Sequence, residues 1–247
     1  MRIFVISLPT QSERRAYIRA QFERMGVEFA FFDAVDARRK QVEYFRAFDI
    51  RRFQLNTGRN PLTTEIGCYA SHLMLWRTCM ILGEPIIILE DDACLDDLFA
   101  TAMTFVERRI ETLGFVRLET NPKSLGPTVT LGKSFSAQYC HSYPFSAMAY
   151  AISPSVAQTF VEQSDVFHSP VDKFIKDFWV HGQPLYQLSP HVVRESDLGV
   201  ATSTIGTRRF PARRRLASRA RRTAYKVRCS LNRLRFNVGY LLQRQLI

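Results

Sequence analysis

Glu90, Asp91 and Asp92 follow directly on the apolar run Ile86-Ile87-Ile88-Leu89. Three β-branched residues and a leucine in succession predict a strand buried on both faces. An isolated charge inside an apolar core is strongly disfavoured. The three carboxylates must therefore surface at the carboxyl end of the strand, the edge where open α/β sheets bind ligands. Carboxylates crowded together repel one another, and a divalent cation is their natural partner. A hard cation held by one or two carboxylates and completed by phosphate oxygens is the chemistry of Mg2+, with Mn2+ close to it. Side chains alternate along an extended chain, so Glu90 and Asp92 face one way and Asp91 the other. A polar strand end entering a turn would show the same residues, so the triplet alone leaves both readings open.

The elements that must position this corner are legible around it. Residues 3–8 read as a first strand, and Ser12 as the cap of a helix over 13–25 that Gly26 ends. Residues 27–32 make a second strand, giving the βαβ start of an α/β domain. A helix is expected over 42–53 and a loop over 56–61. Over 63–82, with Thr64 as cap, Ile66, Tyr69, Ala70, Leu73 and Trp76 recur at helical spacing, one buried face. Gly83-Glu84-Pro85 breaks that helix before the acidic strand. Further helices are expected over 96–113, 155–163 and 171–179, and strands over 115–119, 147–152 and 185–188. The Pro/Gly loop 121–127 is long enough to act as a lid.

The 247 residues suit one large domain, and 46% apolar against 23% charged residues is the balance of a folded globular chain. No apolar stretch approaches the roughly 18 residues that span a bilayer, and residues 3–8 are too few for the apolar region of a signal peptide. Cys68, Cys79, Cys94, Cys140 and Cys229 form no CxxC pair. That pattern predicts reduced thiols, mostly small core residues, and argues against a structural zinc site. Thirteen of the 34 Lys and Arg residues fall within 198–247, which holds no Asp or Glu. The remaining 21 bases face all 23 acids, so residues 1–197 carry a net charge of −2. Two units are expected: a catalytic domain over 1–197 and a basic tail over 198–247.

The order strand, Arg-bearing helix, Glu65-Ile-Gly-Cys-Tyr-Ala-Ser-His72 and Ile88-Leu-Glu-Asp-Asp92 resembles family 25 glycosyltransferases, bacterial lipooligosaccharide galactosyl- and glucosyltransferases and their collagen-modifying relatives. The likeness covers roughly residues 1–195 and includes the strand Ala147 to Ser153, the segment Ser169-Pro-Val-Asp172 and Leu188-Ser-Pro190. It implies a GT-A-like (Rossmann-like) nucleotide-sugar domain with a mixed central sheet, a UDP-hexose donor, Mn2+ (or Mg2+) and inversion at the anomeric carbon. In that role Glu90 and Asp92, ahead of Asp91, would hold the cation on the diphosphate, with His191 as a third ligand. Asp172 is the candidate general base; capping of the helix that follows is its structural alternative. Arg14 and Arg15 open the first helix near the end of strand one, where Leu8 also lies, and would meet diphosphate or uridine, a solvated charged face being the alternative. Asp33 and Asp36 follow strand two and would hold ribose or base. Glu65, Ser71 and His72 would support the donor pocket, Glu65 and His72 sharing a helix face two turns apart, with a hydrogen-bonded core histidine as the alternative reading of His72.

In the tail, small or apolar residues at 216, 220, 224, 227, 231, 234, 238 and 241 trace one helical stripe among arginines that include Arg213, Arg214, Arg215, Arg219, Arg221 and Arg222. Such a basic amphipathic helix predicts docking on an anionic membrane surface. Packing on the catalytic domain is the second reading. Nucleic acid is the third, weakened because aromatics suited to stacking are few and dispersed. The combined expectation is a peripheral enzyme on the cytoplasmic face of a bacterial inner membrane, moving a hexose, galactose first, onto a lipooligosaccharide acceptor. A metal-dependent phosphoryl hydrolase or nuclease, or a non-catalytic basic adaptor on the same fold, are the rival functions.

Overall fold

A computed structural model describes residues 1–37, 44–119, 127–201 and 216–245. The chain begins with β1 (Arg2–Ser7), α1 (Ser12–Met25) and β2 (Ala30–Asp33), the expected βαβ unit. Gly26 closes α1 in the left-handed region at φ +62°, whereas the N-cap is Gln11 and Ser12 already lies inside the first turn. The expected helix over 42–53 is a correction. Its first two positions lie outside the described residues, β3 (Ala47–Phe48) occupies its middle, and α2 (Ile50–Thr57) starts only where Asp49 caps the Arg52 N–H at 2.8 Å.

Next comes α3 (Thr63–Leu82), whose bounds match the expectation. It is buried on more than one face, with Glu65, Ser71, His72, Leu75 and Cys79 inside as well as Tyr69, Leu73 and Trp76. Its first turn is organised by Glu65, which accepts the Leu62 N–H at 3.0 Å and pairs with buried Arg59. Thr64 is therefore not the cap. The run that follows contains β4 (Ile86–Glu90), β5 (Ala93–Leu95), α4 (Phe99–Glu107), α5 (Ile110–Leu113) and β6 (Phe115–Arg117). The single helix expected over 96–113 is thus two, interrupted at Arg108 and Arg109.

The hairpin β7 (Thr128–Leu131) and β8 (Ser136–Tyr139) precedes β9 (Ala149–Ile152), α6 (Pro154–Glu162) and β10 (Val166–Phe167), which pairs with β3. Then come α7 (Val171–Lys176), α8 (Phe178–His181), β11 (Tyr186–Ser189), β12 (Val193–Glu195), α9 (Asp197–Ala201) and the long α10 (Leu216–Gln245). Eight strands form one mixed sheet in the order β2-β1-β4-β9-β6-β11-β8-β7. Strands β1, β2 and β4 run parallel, so their carboxyl ends share one edge, while β9 runs antiparallel between β4 and β6.

Burial follows strand alternation. Ile86 and Ile88 of β4 join Trp76, Tyr150 and Phe160 on one face of the sheet. Ile87 and Leu89 join Phe22, Phe99 and Val5 on the other. All four strand residues are fully buried. The sheet is thus covered on both sides, as continuous rather than alternating apolar strands require. The lid expected over 121–127 falls, apart from Pro127, outside the described residues.

Removing one partner of a buried ion pair strands the other charge, at a cost of about 3–5 kcal/mol. Glu65→Ala is accordingly expected to lower urea-unfolding stability by that order, since it leaves Arg59 buried and frees the Leu62 N–H. The double change Arg59→Met with Glu65→Leu is expected to recover most of the loss.

Candidate active site

The acidic turn after β4 is sorted by its surroundings. Asp91 points back into the domain, where Ser7 Oγ donates to it at 2.6 Å and Arg14 Nη1 at 2.7 Å. Asp91 and Arg14 are both nearly buried, so the pair is shielded from water. Arg14 also donates to the Gly199 carbonyl at 3.1 Å and stands 4.0 Å from Asp92 Oδ2. Glu90 and Asp92 border both cavities of a cleft at the shared edge of β1, β2 and β4, whereas Asp91 borders only one.

Two cavities meet at these carboxylates. The smaller, about 120 Å3, runs between the loops after β1 and β2 and is lined by Leu8, Gln11, Arg14, Asp36, Ser71 and Asp91 among others. The larger, about 450 Å3, is walled by Arg117, Glu119, Ser146, Asp172, Arg194 and Glu195. Thr64, Cys68, Glu90 and Asp92 line both. Backbone packing holds this junction closely. Ser71 Oγ accepts the Val35 N–H at 2.9 Å, and an added Cβ at Gly67 would lie 2.4 Å from the Val35 carbonyl. Only glycine lets α3 approach the loop after β2 so closely. Likewise a Cβ at Gly199 would meet the Asp92 Cβ at 2.4 Å, and the Ser196 N–H donates to the Asp92 carbonyl at 2.8 Å.

Electrostatics set the junction apart. Burial, then the charges of Asp91 and Asp172, push the Glu90 carboxyl up to about 7. Burial, then Glu90, push Asp92 up to about 7. Among the described residues Asp92 Oδ1 is buried without a hydrogen-bond partner. Glu90 Oε1 lies 3.2 Å from His72 Nε2 and 3.7 Å from the Cys68 thiol. His72 is fixed from behind: Nδ1 lies 2.8 Å from the Tyr150 hydroxyl, which accepts the Trp76 N–H at 2.8 Å. Burial lowers this imidazole to about 3, so it is neutral at ordinary pH.

The other candidates separate by placement. Arg15 donates to the Ser7 carbonyl at 2.8 Å, pairs with Asp33 and lies over Phe31, so both Arg15 and Asp33 serve one another beside the cleft. Asp33 lines a further cavity with Leu8, Asp36 and Tyr44. Glu65 reaches the larger cavity but spends its carboxylate on Arg59 and Leu62. Asp172 stands on the wall of the larger cavity, its Oδ1 accepting the Lys173 N–H at 2.6 Å. The helix N-cap is Pro170, so Asp172 does not cap. His191 is the clearest correction. It lines neither cavity, and burial together with the Arg117 charge lowers its imidazole, a poor neighbourhood for a cation.

Sequence reasoning passed over Arg117 and Glu119, a buried pair at 3.1 Å on the wall of the larger cavity, with Ser146 donating to Glu119 at 2.6 Å. Two charges inside the apolar run 115–119 were the available signal. Cys68 lay in plain view within the quoted block. The boundary placed at 197 cuts α9, whose Gly199 abuts Asp92; the compositional change at 198 is not a structural one.

The C-terminal helix shows two faces. Tyr240 stacks on Tyr139 at 4.0 Å, Phe236 meets Phe178 at 5.1 Å, and Asn237 hydrogen-bonds Tyr139 and the His141 carbonyl. Arg222 belongs to this packed face, donating to the Thr57 carbonyl at 2.8 Å, and is corrected from the membrane set. Val227, Leu231, Leu234, Val238 and Leu242 lie on the opposite side, 47–58% exposed. Arg221 is exposed; Arg213, Arg214 and Arg215 lie outside the described residues, as does the side chain of Arg219. No helix among the described residues is long and apolar enough to cross a membrane.

The sequence signature of glycosyltransferase family 25 (LPS biosynthesis protein) matches residues 1–175. The chain is 28% identical over 211 residues to the lacto-N-neotetraose biosynthesis glycosyltransferase LgtE of Neisseria meningitidis serogroup B, spanning 77% of this chain and 72% of that protein. To LgtB of the same organism it is 30% identical over 210 residues, 77% of this chain and 74% of the relative. The lipooligosaccharide biosynthesis protein lic2B of Haemophilus influenzae is 34% identical over 96 residues, 38% of this chain and 34% of that protein. The match over residues 1–175, which contains the acidic turn, the α3 block and Asp172, shows that this chain belongs to glycosyltransferase family 25.

Proposed function

We propose that the chain is an inverting transferase of GT-A-like fold that moves a hexose, galactose first, from a UDP-sugar to a lipooligosaccharide acceptor with a divalent cation. The observation that carries this reading is the convergence of Glu90 and Asp92 on the junction of two cavities, one between the β1 and β2 loops and one walled by Asp172. The residues fit a cation. Two partly buried carboxylates raised first by burial and then by neighbouring carboxylates, one with an orphaned oxygen, are a site short of positive charge. Glu90 and Asp92 would hold Mn2+ or Mg2+, which neutralises charge growing on a departing diphosphate. The relatives' names, lacto-N-neotetraose and lipooligosaccharide biosynthesis, support the acceptor class.

The chain's own residues supply the remainder. The loops after β1 and β2, with Asp36 and Ser71, form the narrower cavity suited to the nucleoside. Asp91 keeps Arg14 engaged and so holds the acidic turn in one conformation before ligand arrives. Asp172, across the larger cavity, is placed to take the proton of an attacking acceptor hydroxyl, and the Lys173 N–H fixes its carboxylate.

We further propose that α10 docks the enzyme on an anionic membrane surface, where a glycolipid acceptor resides. The aliphatic stripe is exposed because the aromatic face already holds the helix to the domain. Arg221, Arg228 and Arg235 recur every seven residues along one flank of that stripe, and no acid occurs after Asp197. Each cation near such a surface contributes about 1 kcal/mol, and burial of the stripe adds to it.

A donor that binds only the folded state at 100 times its Kd stabilises by about 2.7 kcal/mol. UDP-Gal, UDP-Glc, UDP-GlcNAc and GDP-Man, each with and without Mn2+, are expected to separate in a thermal-shift series, with a UDP-hexose plus Mn2+ giving the largest rise. A series in which UDP-sugars leave the melting temperature unmoved refutes the donor assignment. Asp92→Asn is expected to remove the Mn2+-dependent part of that rise together with transfer. Asp172→Asn is expected to keep the rise while lowering kcat by about 10²–10⁴-fold, the usual scale of a general base. Sedimentation with vesicles rich in phosphatidylglycerol should capture the protein at low salt and release it as salt rises, and Leu231→Ser with Leu234→Ser should weaken capture. Equal capture by neutral vesicles, or tighter binding to DNA than to anionic vesicles, refutes the docking assignment.

A further inference from the structure

Cys68 and His72 lie one helical turn apart on α3, and both face the end of β4. Residues four apart on a helix share a face, the arrangement by which two ligands on one helix grip a metal. Here the third donor is Glu90, and the three ligand atoms lie within 4.8 Å of one another. Zn2+ bonds of about 2.0–2.1 Å to nitrogen or oxygen and 2.3 Å to sulfur put tetrahedral ligand atoms roughly 3.3–3.6 Å apart. The separations of 3.2 Å for His72 Nε2 to Glu90 Oε1 and 3.7 Å for Cys68 Sγ to the same oxygen bracket that spacing.

We propose that Cys68, His72 and Glu90 form a site for a thiophilic divalent cation, Zn2+ foremost, that shares Glu90 with the cation site of the transfer reaction. The ligand set separates the two ions. Glu90 with Asp92 offers only oxygen, suited to Mg2+ or Mn2+, whereas thiol and imidazole select Zn2+. Support behind the ligands is in place, because the Tyr150 hydroxyl holds His72 Nδ1 and turns Nε2 to the cluster, as in metal-binding histidines. Tyr150 is itself held by Trp76. Cys68 and Glu90 line both cavities, so the cation has a route in and a fourth coordination position facing the cleft, the plan of an accessible rather than a structural zinc site. Binding exchanges the thiol proton, released to solvent, for a metal–sulfur bond, with no change of oxidation state. Its consequence, which rests on the transfer reading above, is inhibition: Zn2+ takes Glu90 away from the diphosphate-binding cation.

The test uses the full chain freed of metal by chelation and titrated with Co2+, a spectroscopic stand-in for Zn2+. A thiolate-to-cobalt charge-transfer band saturating at one equivalent, bleached by Zn2+ but not by Mg2+, is expected. Cys68→Ser should abolish the band, while Cys94→Ser with Cys229→Ser keeps it; melting curves without metal verify that each variant is folded. Zn2+ affinity should fall at least tenfold in Cys68→Ser, a change of about 1.4 kcal/mol or more. Absence of the band, or its persistence in folded Cys68→Ser, overturns the site. In the transfer assay Zn2+ should inhibit competitively against Mn2+. A cobalt band with transfer indifferent to Zn2+ overturns the shared use of Glu90, and a cobalt band without any UDP-sugar binding leaves the metal site standing while the donor reading falls.

Discussion

The buried contact of Asp91 with Arg14 and Ser7 is the constraint on which the rest of the cleft depends. Strand alternation alone would send Glu90 and Asp92 to one side and Asp91 to the other. Alternation gains energetic force because Asp91 finds a guanidinium at 2.7 Å and a hydroxyl at 2.6 Å on the inner side. A one-residue slip would bury two carboxylates against one arginine and leave a single carboxylate in the cleft. The same arginine reaches the Gly199 carbonyl, so one side chain from α1 ties the acidic turn to α9, while Ser7 ties that turn to β1. Charge separation in the site is therefore a product of the fold and not of any ligand.

Much of this was legible in the sequence because it rests on strong local signals. Four apolar residues ahead of three acids fix a buried strand and its end, and the helical period over 63–82 gave α3 to the residue. Those two elements and the turn after β4 carry Cys68, His72, Glu90 and Asp92, so the heart of the cleft is legible directly. What was lost depends on tertiary pairing. β3 and β10 are two-residue strands that exist only through each other, and β7 and β8 are short and half-polar at the sheet edge. Position near a strand end leaves Arg14 and Arg15 open to diphosphate or uridine contact or to a solvated face, whereas in the structure each is engaged by an aspartate of this chain. A sequence shows that a cation is near an edge; it does not show which anion reaches it first.

The tail illustrates the same limit from the other direction. Its aliphatic stripe was visible from spacing, and packing on the domain was weighed as a competing use of that stripe. In the structure the packing falls to residues 222, 225, 229, 233, 236, 237 and 240, on the side away from the stripe. Tyr240 and Phe236, too dispersed for nucleic-acid stacking, form the packed face with Tyr139, Tyr186 and Phe178. Aromatic residues pay little entropy for the area they bury, so a few suffice to hold a long helix.

That division has a mechanical consequence for a reaction at an interface. A helix joined to its domain by a flexible segment alone would leave the cleft free to tumble above any surface the helix touched. Here the aromatic face holds α10 against α8, β8 and β11, and Arg222 and Arg233 add hydrogen bonds to Thr57 and Ser142. A surface that engages the aliphatic stripe therefore engages the whole domain in one orientation. The larger cavity, with Asp172 on its wall, would then be held at a constant angle to any such surface. Orientation of two reactants is worth several kcal/mol of barrier when it is built in before encounter. On the docking proposed above, an acceptor confined to a plane and an active site held at a set attitude to that plane would together supply that advantage without any contact to the acceptor's sugar.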